Sequence, residues 1–102
     1  MPVAWSVQFT PEAIEELQKA IDYYNDQRAG LGIEFMIEFE DQIQLLMLNP
    51  FTHAIRYFHV RFAVIDRFPY AIHYIIKEET RSVIVQTVLS TFKNPETNWK
   101  AR

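Results

Sequence analysis

The chain has 102 residues, of which 49% are hydrophobic and 15% aromatic, and its formal net charge is −3. This length predicts a single domain over residues 1–102, and the absence of cysteine excludes disulfides and thiolate metal sites. No apolar run is long enough to cross a bilayer, and the N-terminus lacks the pattern of a secretory signal, so we expect a cytoplasmic protein.

The charge is unevenly distributed along the chain. Residues 1–50 contain nine acidic and two basic residues, a charge of −7, whereas residues 51–102 contain eight basic and four acidic residues, a charge of +4. Such an asymmetry indicates either two solvated faces of opposite sign or a second half that meets a polyanion or an acidic partner.

The first predicted elements are a strand and an amphipathic helix. Residues 3–9 alternate between apolar and polar side chains, which is typical of a half-buried strand. Thr10 and Pro11 then supply a helix cap and a residue that suits the first helical turn. The helix should end near Arg28, before Gly30. Its apolar residues recur at steps of three and four, as in Ile14, Leu17, Ile21 and Tyr24.

A second helix is predicted from about Ile33 to Leu48. Both glycines of the protein lie in residues 29–32, which no strand precedes and no lysine follows, so this segment reads as a helix end and turn rather than a phosphate loop. Pro50 ends the second helix. So short a turn should pack the two helices as an antiparallel hairpin. The apolar face of the second helix contains Phe35, Phe39, Ile43 and Leu46.

Three strands should follow. Residues 56–66, 69–77 and 82–90 are rich in β-branched and aromatic residues, and residues 78–81 read as a hairpin turn. Pro69 cannot donate to a strand ladder and should mark the start of its strand after a short turn. The predicted fold class is α+β in the order β-α-α-β-β-β, with the helical hairpin packed on one face of a mainly antiparallel sheet.

Alternation along the first of these strands predicts which residues face the helices. Val60, Phe62 and Val64 form an all-apolar side, which we expect to pack against the helices. The opposite side, expected to be exposed, contains Arg61, Ala63, Ile65 and Arg67. Arginines on an open sheet face can bind phosphate, pair with acids of a partner, or only keep the face solvated.

Neither a metal nor a cofactor is predicted. The three histidines, His53, His59 and His73, lack the spacing of a metal site. The sequence also contains no serine flanked by glycines, the pattern that would indicate a nucleophile.

Four segments of the chain carry a family resemblance: FTPEAIEELQKAIDYYNDQRAGLG (9–32), FMIEFEDQIQLLMLNP (35–50), VRFAVIDRFPYAIHYII (60–76) and VIVQTVLSTFKNP (83–95). In this order they resemble the RelE/ParE superfamily, the toxins of type II toxin–antitoxin modules, and more closely its ParE-like branch. The third segment is the most specific, because an arginine precedes a short strand and a basic residue precedes Phe-Pro-Tyr and a second strand.

The resemblance implies an antitoxin that wraps the toxin with an extended or helical segment. It also implies a hetero-oligomer with that antitoxin. A homodimer through the exposed edge of the sheet is an alternative, and the lack of a long apolar run predicts no membrane partner. One branch of the superfamily cleaves ribosome-bound mRNA, with basic residues stabilising the transition state and an acid and a base moving protons. The candidates for that chemistry are Arg61, Arg67 and Arg81 for charge, and His73 or Tyr74 for proton transfer.

The other branch inhibits DNA gyrase by a protein contact and needs no nuclease residues. For this function the candidate binding residues are Arg56, Arg61, Arg67 and Lys93. Two departures favour it: the chain is acidic, whereas RNA binding favours a basic protein, and Ser90 stands where nuclease relatives often have a histidine. We therefore predict a toxin that acts on gyrase or translation, with an mRNA endonuclease and a non-toxic protein-binding module as alternatives.

Overall fold

A computed structural model describes residues 4–91. It confirms the predicted α+β class and the helical hairpin on one face of the sheet, with one strand more than predicted. None of the helices in this range is long and apolar enough to cross a membrane. The elements are β1 (Ser6–Phe9), α1 (Pro11–Gln27), α2 (Leu31–Leu48), β2 (Ile55–Tyr57), β3 (Val60–Val64), β4 (Tyr70–Lys77) and β5 (Ser82–Ser90).

The additional strand arises because residues 56–66 do not form one continuous strand. Tyr57 pairs with Val60, so Phe58 and His59 form a two-residue loop between β2 and β3. The backbone of Phe58 is left-handed, with φ +48°. Because a run of β-branched and aromatic residues favours strands on both sides of this loop, the sequence pattern does not indicate the turn.

The five strands form one mixed sheet in the order β1-β5-β4-β3-β2. β1 is parallel to β5, and the other neighbouring pairs are antiparallel. The chain between this parallel pair contains both helices and the strands β2 to β4, so it is long enough for the crossover that a parallel pair requires. Pro69 directly precedes β4 and Ile65 N–H donates to the Tyr70 carbonyl at 2.9 Å, which confirms the short turn before Pro69.

The helix boundaries follow from the predicted capping residues. Thr10 Oγ1 accepts a hydrogen bond from Ala13 N–H at 3.1 Å, which satisfies one of the free amides at the start of α1. Gly30 is left-handed, with φ +89°, and precedes α2. Gly32 N–H donates to Asn25 Oδ1 at 2.8 Å. These contacts set the tight connection between the antiparallel helices.

The main core lies between the helical hairpin and the sheet. Tyr24 is at its centre, with ring centroids 4.7 Å from Phe68, 5.3 Å from Phe35 and 5.9 Å from Tyr70. The predicted apolar face of α2 is confirmed, because Phe35, Phe39 and Leu46 are buried and Ile43 packs against them. The sheet contributes Ala63, Ile65, Ile72, Tyr74, Val83, Val85 and Val88.

The predicted assignment of the two sides of β3 is wrong. Ala63 and Ile65 face the helices and are fully buried in the main core. Val60 and Phe62 instead form a second cluster, which Tyr57, Ile75 and Leu89 complete, and Val64 is exposed. Both faces of this sheet bury apolar side chains, so the side of β3 with more apolar residues does not identify the helix-facing side.

Candidate functional site

Arg67 lies against α2. Its Nη2 atom is 2.8 Å from Glu34 Oε1 and its Nη1 atom is 3.0 Å from Glu38 Oε2. Arg28 also pairs with Glu34, at 3.3 Å. The hydrogen bond from Arg67 holds the pKa of Glu34 below its ordinary value, and the same bond raises the pKa of Arg67. This arginine, which we expected on an open sheet face, is therefore paired with two acids of its own chain.

Arg61 is half-buried on the helix-facing side of β3. Its Nη1 atom donates a hydrogen bond to the His53 carbonyl, and its guanidinium lies 5.3 Å from the ring centroid of Phe51. Burial, and then the charge of Arg61, lowers the pKa of His53. These contacts join β3 to the segment after α2, which is a structural role.

Arg81 and Arg56 lie in other parts of the sheet from Arg67. Arg81 ends the turn between β4 and β5 in a left-handed conformation, and its guanidinium lies 4.5 Å from the ring centroid of Trp5. Arg56 is exposed on β2, 5.0 Å from the ring centroid of Phe62. Lys93 is outside the described residues.

His73 and Tyr74 are consecutive residues of β4, so their side chains lie on opposite faces of the sheet. Both are 0% exposed. His73 stacks on Phe62 at 4.1 Å, and its Nδ1 atom is 3.4 Å from the Tyr57 hydroxyl. Tyr74 donates a hydrogen bond to the Pro50 carbonyl at 2.8 Å, and burial raises its pKa to about 12.

The structure does not bring the five candidate catalytic residues together. Arg61 is paired with Tyr74 in the register of β3 and β4. Arg67 and Arg81 flank opposite ends of β4, whose eight residues span on the order of 25 Å. His73 faces away from the helices. Among residues 4–91, moreover, no group of three or more acidic or histidine side chains could hold a metal ion.

The helical hairpin carries an apolar surface that the sequence reasoning missed, an open cavity of about 350 Å³ between α1 and α2. We call it the helix groove. Ile14, one of its lining residues, is 56% exposed. The sequence signal that could have revealed this groove is the breadth of the apolar stripe on the helices, which is wider than the face that the core buries. The groove is lined chiefly by Phe9, Ile14, Leu17, Met36, Ile43 and Met47, with Glu40 as its charged residue.

Solved structures show where this fold occurs. The structure is similar to the chromosomal ParDE toxin–antitoxin system from P. aeruginosa, with TM-score 0.73 and 15% identity over 85% of this chain and 96% of that chain. It is also similar to the intact E. coli RelBE toxin–antitoxin complex, with TM-score 0.69 and 17% identity over 85% and 96%. The isolated E. coli RelE toxin gives TM-score 0.68 and 15% identity over 97% and 100%. At these identities the likeness shows the fold alone.

A comparison with family models identifies the protein family, which similarity of fold alone does not show. The model of the ParE toxin of the type II toxin–antitoxin system parDE matches residues 7–95. A search of curated proteins gives no significant match. The family match covers most of the chain and confirms the resemblance found in the sequence. The chain therefore belongs to the ParE toxin family and is the toxin component of a type II toxin–antitoxin system.

Proposed function

We propose that this toxin acts in the cytoplasm by binding a protein, DNA gyrase, and that its antitoxin binds the helix groove. The observation that carries the choice of target mechanism is the position of His73 and Tyr74, which are fully buried on opposite faces of the sheet. A general acid and base must reach the same substrate within hydrogen-bond distance. Two groups separated by the sheet and shielded from solvent are poorly placed for that.

The surroundings of the arginines support the same choice. A scissile phosphate at Arg67 would have to displace the carboxylates of Glu34 and Glu38, which repel an anion. The net charge of −3 also disfavours binding to RNA. A protein contact requires none of these groups to transfer protons.

The helix groove supports the proposed antitoxin site. Its walls come mainly from two antiparallel helices, with Phe9 of β1 also in the lining, and that lining is mainly apolar. An amphipathic helix buries its apolar face in such a groove. The similar ParDE and RelBE structures are both toxin–antitoxin systems by name, which agrees with a protein partner here.

The target is tested by inducing the toxin alone in a bacterium and following DNA and protein synthesis by pulse labelling over the first minutes. We expect DNA synthesis to fall first, and the purified toxin to inhibit supercoiling by purified gyrase. Tyr74→Phe should keep this activity, because the variant removes only the hydroxyl group that donates a hydrogen bond to the Pro50 carbonyl. An early fall in translation, with mRNA cleavage that Tyr74→Phe abolishes, would establish the nuclease alternative. Continued growth would instead indicate a non-toxic binding module.

The antitoxin site is tested with Ile14→Glu, which places a charge in the helix groove at an exposed helical position. We expect this variant to stay toxic and to escape neutralisation by the co-expressed antitoxin. The matched control is Tyr23→Glu, because Tyr23 is 54% exposed on the same helix outside the groove. Neutralisation of Ile14→Glu as efficient as that of the control contradicts the assignment.

A further inference from the structure

The loop between β2 and β3 presents an aromatic side chain in an unfavourable setting. Phe58 has φ +48°, a backbone conformation that favours glycine or asparagine in two-residue hairpins. Its side chain is 67% exposed, although one edge contacts the ring of Tyr57. Neither property stabilises the fold of this chain. An unfavourable backbone conformation at an exposed bulky residue points to a function.

We call the residues around Phe58 the hairpin tip (residues 55–60). Beside Phe58 is an open cavity of about 340 Å³, with Tyr57, Val60 and Ile75 in its lining. Ile55, on the same edge strand, is 50% exposed. The polar residues His59 and Gln86 also line this cavity. An exposed aromatic next to an open cavity of mixed lining is the arrangement of an interface anchor and its rim.

The charge of this region indicates the partner. Residues 53–61 contain two arginines and two histidines and no acidic residue. Arg56, within the tip, holds an exposed guanidinium over the ring of Phe62. A cation such as Arg56 beside an apolar anchor complements an acidic protein surface and speeds its association.

We propose that the hairpin tip is the surface through which the toxin contacts its protein target, with Phe58 inserted into an apolar recess of an acidic surface and Arg56 paired with its acids. This inference rests on the proposed function, because it names the contact by which that function is exerted. The tip is separate from the helix groove, since the two surfaces share no lining residue. Target binding and antitoxin binding are therefore separable by mutation.

Two other occupants fit the observations less well. In a symmetric dimer the tip would meet the tip of a second copy, which brings the like-charged Arg56 side chains together. A contact of the tip with another surface of a second copy is head-to-tail and generates open chains unless the rotation closes. Single-stranded nucleic acid needs a groove with several cations along its path. Here Arg61, the nearest further arginine along the chain, is bound to the His53 carbonyl.

The test compares Phe58→Asn with Leu48→Asn. Asparagine accepts the left-handed backbone, so Phe58→Asn should fold with an unchanged or higher unfolding midpoint. We expect it to bind the antitoxin normally and to inhibit gyrase about thirtyfold more weakly, the loss typical of an interface hot spot. Leu48 is 76% exposed on α2, and Leu48→Asn should inhibit like the wild type. Arg56→Glu should weaken inhibition by slowing association, most strongly at low salt.

The outcomes separate this inference from the proposed function. If the wild type arrests growth without affecting gyrase, the choice of gyrase is wrong. The role of the hairpin tip is then tested by comparing growth arrest by Phe58→Asn with growth arrest by the wild type. Equal growth arrest by Phe58→Asn and the wild type overturns the inference. It is also overturned if Phe58→Asn loses antitoxin binding but stays toxic, if the variant converts a dimer into a monomer in size-exclusion chromatography, or if it abolishes binding to a single-stranded RNA oligonucleotide that the wild type binds.

Discussion

Arg67 and Glu34 form an ion pair, with Nη2 and Oε1 2.8 Å apart, that joins the turn before β4 to α2. Glu38 pairs with the same guanidinium, so Arg67 is held within its own chain. From the sequence, Arg67→Ala would have been expected to abolish toxicity or partner binding with the fold intact. The contacts now predict that this variant keeps its toxicity and loses a small, salt-dependent part of its stability, since exposed ion pairs contribute little. Thermal unfolding at low and high salt, with growth arrest in parallel, checks this.

The Arg67 pairing also has a predictable pH dependence. Because the folded-state pKa of Glu34 lies below its ordinary value of 4.5, its contribution to stability is present above that value and is lost as the pH falls through the lower folded-state pKa. We expect the wild type to be more stable than Arg67→Ala at neutral pH and the difference to vanish in acid. Urea unfolding of both proteins across this range measures it, and a difference that persists in acid contradicts the ion-pair account.

Arg61→Ala should destabilise the protein. The substitution removes the hydrogen bond to the His53 carbonyl and the contact with Phe51, both at a half-buried position. We expect the free energy of unfolding to fall by about 1 kcal/mol, a typical net value for one hydrogen bond. Chemical denaturation measures this change. Loss of toxicity at unchanged stability would instead indicate that Arg61 belongs to a functional surface, as the sequence predicted.

Tyr74→Phe should cost roughly 1 to 3 kcal/mol at neutral pH, because the buried Pro50 carbonyl loses its donor. The pKa of Tyr74 is about 12 in the folded protein and 10.0 ordinarily, so between these pH values the unfolded chain ionises first and stability falls as the pH rises. The variant lacks this contribution. The stability advantage of the wild type should therefore shrink above pH 10, and a constant advantage would contradict the burial of the phenol.

The two glycines should differ in how much stability a substitution costs. A Cβ atom at Gly32 would lie 2.5 Å from the Ile21 carbonyl oxygen, so Gly32→Ala must separate the helices and should cost roughly 1 to 3 kcal/mol. Nothing lies within 4 Å of a Cβ atom at Gly30, where φ is +89°. Gly30→Asn should therefore cost only a few tenths of a kcal/mol, because asparagine tolerates the left-handed backbone. Equal losses in the two variants would show that helix contact at Gly32 is not what limits substitution.

Local sequence determined the two helices and the start of β4, although not the division of residues 56–66 into β2 and β3. Thr10 and Pro11 begin α1 where predicted, and Pro69 precedes β4, because caps and proline restrict the backbone within a few residues of themselves. The glycine turn between the helices has the same local origin. Four separate segments in the right order were also sufficient to indicate the toxin superfamily, which the match over residues 7–95 supports.

Tertiary structure alone decided the sides of the sheet and the partners of the charged residues. Alternation in β3 defines two sides but cannot say which one the helices cover, and here both sides bury apolar residues. Glu16 shows the same limit: it reads as a solvated helix carboxylate, yet it accepts a hydrogen bond from Val88 N–H, 72 residues away, at 2.9 Å. Likewise, Arg67 meets acids about thirty residues earlier in the chain. A side chain's role depends on what the fold places opposite it, and residues distant in sequence supply that environment.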